Sequence, residues 1–240
     1  MTRETLLLLP GMMCDERLFA PQIEAFGASF DVIVPPLAQD SIRAMAEAVL
    51  AAAPPGRLNV AGLSMGGIVA MMMADLAPDR VTRLALLDTN HYADAPERFE
   101  IRKRQIEAVH QGQLRDVIVD EMKPAYLAPE NRDNRKLLDL LVDMALSVGA
   151  ETFVAQSVAL RDRPDQTAVL RRFEGAALVL CGESDMLCPP DRHREMADLI
   201  GDCELVFVPG AGHIATLENP DAVNAAVADW LARPSTVPVS

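Results

Sequence analysis

No stretch of this 240-residue chain is apolar for long enough to span a bilayer. The run Leu6-Leu7-Leu8-Leu9 is followed at once by Pro10-Gly11 and by the charged Asp15-Glu16-Arg17, so it is too short for a signal-peptide core and a cytoplasmic location is expected. Basic charge is also scarce. With 22 Lys and Arg against 35 Asp and Glu, the formal net charge is −13, which repels nucleic acid and anionic membrane alike; neither is an expected partner. Cysteine is sparse: Cys14, Cys181, Cys188 and Cys203 form no CxxC pair, so reduced thiols are expected, with Cys181 and Cys188 as small buried hydrophobes. The four histidines (His91, His110, His193, His213) lack metal-ligand spacing, so no metal and no cofactor are expected. Internal repeats and low-complexity tracts are absent too, and nothing in the composition bears on oligomeric state.

What is present is alternation. Short apolar runs ending in Gly, Pro or Asp read as buried parallel strands: Thr5–Leu9, Asp31–Val34, Leu58–Ala61, Leu84–Leu87, Ala177–Cys181 and Leu205–Val208. Helical patterns separate most of them: Ile42–Ala53, stopped by Pro54-Pro55-Gly56; Ile68–Leu76, apolar nearly all round; Arg192–Ile200; and Asp221–Leu231, opened by Asn219-Pro220. Strands alternating with helices predict a doubly wound α/β fold with a mainly parallel sheet, whose ligand site lies at the carboxyl ends of the strands.

One stretch breaks the pattern. From 91 to 169 only helical patterns occur (Arg98–His110, Leu114–Met122, and a long Lys136–Leu160), and roughly eighty residues is too long for a simple crossover. The expected organisation is a core of 1–90 and 170–233, a helical lid of 91–169, and a frayed tail of 234–240.

Leu58–Ala61 runs into Gly62-Leu63-Ser64-Met65-Gly66-Gly67, and a helix follows. This is the G-x-S-x-G elbow in its required setting. The sharp turn strains the Ser64 backbone, and the close approach of strand and helix leaves no room for side chains at Gly62 and Gly66. The hydroxyl is thereby exposed at a helix N-terminus, where unpaired N–H groups favour negative charge. With this glycine and serine content, three fixed positions match by chance about 0.02 times per chain, so the motif is informative.

A serine hydroxyl needs a base. His213, in Pro209-Gly210-Ala211-Gly212-His213, follows the last strand on a tight loop, whereas His110 and His193 sit on charged helical segments and His91 opens the lid. The imidazole in turn needs an anion. Asp185, in Cys181-Gly182-Glu183-Ser184-Asp185, emerges at a strand end; Glu183 and Asp88 are the other contenders. The oxyanion hole is expected from the backbone N–H of Met65 and of Met12, the latter freed to swing by Gly11.

These residues carry a resemblance. The order Ser64, Asp185, His213, together with Pro10-Gly11, Gly62 to Gly67, Gly182 to Asp185, Gly212-His213 and Leu217-Glu218-Asn219-Pro220, resembles the α/β-hydrolase superfamily. The likeness is to its cap-bearing branch of carboxylesterases, lactonases, carbon–carbon bond hydrolases and the menaquinone-pathway synthase. It covers the chain except the lid. Two departures stand out: Pro10-Gly11 replaces the frequent His-Gly, and the extra N-terminal antiparallel strands are missing, which reduces the expected sheet to about six strands. The implied activity is hydrolysis of a small carboxylic ester or lactone through an acyl-enzyme on Ser64. A carbon–carbon hydrolase or menaquinone-synthase-like lyase is the first alternative, and a ligand-binding receptor on the same fold the second. Met13, Met186, Leu187 and His91 are the expected pocket residues. Of the lid cations Arg102, Lys103, Arg104, Arg132, Arg135, Lys136, Arg161 and Arg163, most are expected to face solvent, with one or two as candidate ligands of a substrate carboxylate.

Overall fold

The computed structural model describes residues 3–234, and of Pro124 the backbone alone. Of the expected tail 234–240, all but Pro234 lies outside the described residues. The elements run, in chain order, β1 (Thr5–Leu9), α1 (Ala20–Phe26), β2 (Asp31–Ile33), α2 (Ile42–Ala52), β3 (Leu58–Leu63), α3 (Met65–Leu76) and β4 (Val81–Leu87). Next come α4 (Pro96–His110), α5 (Leu114–Asp116), α6 (Arg135–Val148), α7 (Ala150–Arg161) and α8 (Thr167–Arg172). The chain then returns to β5 (Ala176–Gly182), α9 (Pro190–Leu199), β6 (Cys203–Val208), α10 (Ala215–Glu218) and α11 (Pro220–Ala232). The six strands form one wholly parallel sheet in the order β2-β1-β3-β4-β5-β6. This is the doubly wound α/β architecture expected from the alternation.

The sheet is buried on both faces, which is why its strands read as continuous apolar runs. Alternate residues of one strand go to opposite cores. Leu7 and Leu9 pack with Val60, Leu84, Leu86 and the α2 and α3 residues Met45, Val49, Val69 and Met73. Leu6 and Leu8 pack with Ala61, Leu63, Leu87 and the α11 residues Val223, Val227 and Trp230. Helix α3 is buried from Met65 through Ala74, as its lack of a polar face requires. Trp230 is wholly enclosed and donates its indole N–H to the Ala176 carbonyl at 3.0 Å, so α11 is pinned to the start of β5.

Among the described residues, no strand interrupts the helices between β4 and β5, and no helix is long and apolar enough to cross a membrane. Two expectations in this segment need correction. Leu114–Met122 is not one amphipathic α-helix: α5 ends at Asp116 and a π-helical turn covers Val117–Met122. The single helix expected over Lys136–Leu160 is two, α6 and α7, broken at Gly149 with φ 88° and ψ 170°. That backbone region is open almost solely to glycine, and periodicity alone does not reveal it.

Gly149→Ala tests this hinge. A Cβ there would meet nothing within 4 Å, so any cost is backbone strain, about 1–3 kcal/mol. Urea unfolding should show a loss of that size. A neutral or stabilising result would mean that the two helices do not need the glycine conformation.

Candidate active site

Strand β3 delivers Ser64 to the carboxyl edge of the sheet, and α3 starts immediately behind it. The serine backbone is held at φ 54° and ψ −115°, a conformation that costs a non-glycine residue of order 1–3 kcal/mol. The surroundings over-determine it. The Ser64 N–H donates to the Leu87 carbonyl at 2.9 Å, and the Ser64 carbonyl accepts from the Thr89 hydroxyl at 2.7 Å. A Cβ on Gly66 would land on the Leu9 carbonyl of β1, and one on Gly62 would land on the Gly66 backbone. Both motif glycines are therefore required by contact between backbones.

Ser64, His213 and Asp185 come together. The Ser64 hydroxyl is 2.9 Å from His213 Nε2, and His213 Nδ1 is 2.9 Å from Asp185 Oδ2. The other Asp185 oxygen accepts the amides of Leu187 at 2.8 Å and Cys188 at 2.9 Å. Both His213 and Asp185 are almost fully buried. Burial pulls the His213 imidazole down, but the charge and hydrogen bond of Asp185 outweigh it and lift the imidazole above its ordinary value. Burial likewise pushes the Asp185 carboxyl up, and His213 with the two amides more than reverses that.

The competing acids have other employment. Asp88 accepts the Gly182 amide at 2.8 Å and the Ala215 amide at 3.2 Å, tying β5 to α10. Burial, and then repulsion from Asp185, pushes Asp88 up to about 8. Glu183 is exposed. The amides of Met12 and Met65 donate to no protein acceptor among the described residues; Met12 lines the cavity, and Met65, next to Ser64 in the chain, is buried.

The cavity over Ser64 and His213 measures about 610 Å³. Leu187 lines it. Three other expected pocket residues do not. The left-handed turn at Met13 (φ 57°) puts its side chain into the core beside α3, while its amide donates to Gln156 Oε1 at 2.9 Å. Met186 is 76% exposed and points to solvent. His91 is buried away from the cavity with its ring against Tyr92, 4.0 Å between centroids. His193, read from sequence as part of a charged helix, is fully buried; its Nε2 accepts the Thr89 amide at 3.0 Å, and burial holds it down at about 4.

The segment between β4 and β5 also holds the histidine loop, which the sequence did not reveal. The Tyr126 carbonyl accepts the His213 amide at 2.8 Å, and the Tyr126 ring meets the imidazole edge-on. Glu218, in the string that follows His213, accepts the Gly212 amide at 2.8 Å and the Ala128 amide at 2.7 Å. That string was visible as sequence; its partners 90 residues away were not.

The family model described as "Alpha/beta hydrolase family" matches residues 6–226. The chain belongs to the α/β-hydrolase family. A solved structure of a thermophilic esterase from Thermogutta terrifontis is 30% identical, covers 96% of this chain and 90% of its own, and superposes with a TM-score of 0.88. The 2-hydroxymuconate semialdehyde hydrolase of Pseudomonas sp. (strain CF600) is 25% identical over 98% of this chain and 83% of its own length. The dihydrolipoyllysine-residue acetyltransferase component of the acetoin cleaving system of Pseudomonas putida is 26% identical over 90% of this chain, which spans only 56% of that relative.

The electrostatics give a testable sign. His213 should titrate above the ordinary histidine value of 6.5, read from its ring resonances by NMR. In Asp185→Asn the larger of the two raising charges is gone while burial remains, so the pKa should fall. An unchanged value would remove Asp185 as the group that governs His213.

Proposed function

We propose that this protein is a serine hydrolase that cleaves a small carboxylic ester or lactone through an acyl-enzyme on Ser64. The observation that carries the reading is the continuous relay Ser64 Oγ–His213–Asp185, at 2.9 Å and 2.9 Å, opening on one cavity. His213 accepts the Ser64 proton as the hydroxyl attacks the scissile carbonyl, and Asp185 holds the tautomer and stabilises the imidazolium. The unpaired Met12 and Met65 amides, with the N-terminus of α3 behind them, are the donors for the developing oxyanion, each such donor being worth ~3 kcal/mol of transition-state stabilisation. His213 then returns the proton to the leaving alkoxide and activates water to release the acid. Residues 91–169 act as the lid: they wall the cavity through Asp94, Arg98, Arg102 and Tyr126 and supply the Tyr126 carbonyl that fixes His213.

A second reading assigns the same serine and histidine to carbon–carbon bond cleavage. It is favoured by the relative named for 2-hydroxymuconate semialdehyde, a compound whose name contains no ester. Both readings differ from a receptor that merely binds, because a receptor has no use for an ionised relay.

A fluorophosphonate probe together with a panel of 4-nitrophenyl esters and lactones tests the proposal. Wild type should be labelled and turn over esters, whereas Ser64→Ala should lose labelling and at least about 10⁴-fold in kcat. An unlabelled wild type, or a Ser64→Ala variant that turns over at the wild-type rate, would end the nucleophile assignment.

A further inference from the structure

Resting on the hydrolase reading of the same cavity, we propose that the cavity takes a substrate carrying a free carboxylate remote from its scissile carbonyl, gripped by Arg102. The side chains of Arg102, Asp94 and Arg163 are only 7%, 6% and 9% exposed, and all three line the cavity that holds Ser64 and His213. One carboxylate serves two guanidinia. Asp94 Oδ2 accepts from Arg102 Nε at 2.6 Å, and Asp94 Oδ1 pairs with Arg163 at 3.0 Å. Arg163 is further occupied by the carbonyls of Tyr92 at 2.9 Å and Leu160 at 3.4 Å. Arg102 is not: among the described residues its hydrogen bond to protein is the one from Nε, and its terminal nitrogens are not sealed from solvent.

The group is thus a buried cluster with one positive charge in excess and an open fork of N–H donors. The natural complement of a free guanidinium edge is a carboxylate bound by two parallel hydrogen bonds. The local field agrees. Arg98 lies one turn before Arg102 on α4 and lines the same cavity, as does Arg192; against these four arginines the lining holds Asp94 and Glu121. Glu121 is already paired with Arg104 at 2.8 Å. In a chain of net charge −13, the cavity is locally cationic.

Helix α4 shows why sequence left this open. Its other cations are exposed, and only Arg102 and Val109 are buried, a distinction that a uniformly charged helical pattern does not display.

The test compares substrates that differ in one terminal group. The mono-4-nitrophenyl esters of glutarate, adipate and suberate are set against the 4-nitrophenyl esters of the matching monocarboxylic acids. In wild type, kcat/KM for the best diacid monoester should exceed that of its neutral counterpart by about tenfold or more. Arg102→Met should lower that ratio by about 10- to 100-fold, chiefly through KM, and Arg102→Lys should restore part of it, since a point charge lacks the fork. Calorimetry on Ser64→Ala protein is independent of turnover: the free diacid should bind at least about tenfold more tightly than the monocarboxylate and than inorganic phosphate. A wild type with no preference for the diacid monoesters, an unchanged ratio in a folded Arg102→Met, or Ser64→Ala protein that binds phosphate or monocarboxylate equally well would each overturn the proposal. Diacid binding without turnover of any ester would instead keep the carboxylate site and reject ester hydrolysis.

Discussion

The active edge of this molecule depends on the near-contact of three backbones. Helix α3 starts so close to β1 that the Leu9 carbonyl occupies the space of a side chain at Gly66, and β3 so close to α3 that Gly62 is bare for the same reason. That proximity leaves Ser64 only a left-handed turn between strand and helix. The strain is borne by the sheet, since the Ser64 amide is bound by the end of β4. A serine so placed projects from the sheet at the head of a buried helix, within reach of whatever the neighbouring strand ends present.

What they present is a division of labour between two buried aspartates. Asp185 and Asp88 both emerge at strand ends close to one histidine, and the charge on Asp185 raises the cost of ionising Asp88. Such neighbours are driven to different states. Asp185 gains the imidazole and two amides and stays below the usual carboxylate range. Asp88 holds the backbone behind it and is pushed up. The scaffold acid thereby leaves the strongest negative field on His213 to Asp185.

The helices between β4 and β5 do more than wall the cavity. Tyr126 and Ala128 fix the histidine loop directly and through Glu218, while Gln156 of α7 binds the Met13 amide and the Leu37 carbonyl, bracing the turn that carries Met12. Three of the cavity-lining arginines (Arg98, Arg102 and Arg163) and the supports of the histidine loop thus belong to one segment. Movement of that segment would alter binding and the alignment of His213 together.

The strands, their order of appearance and the Gly62–Gly67 elbow were legible in the chain itself. A parallel sheet buried on both faces must be written as short apolar runs, and a backbone-to-backbone turn must be written with glycine. Ser64 and His213 were legible for the same local reasons, as was the surplus of helix between β4 and β5. Partners across the fold were not: the amides that Asp185 and Asp88 each bind, the break at Gly149, Met13 in the core instead of the pocket, and Arg102 as the inward cation of a charged helix. Periodicity and motifs record what neighbours along the chain require of each other. The orientation of a side chain, and the charge it meets, depend on residues tens of positions away, and only the tertiary structure brings those together.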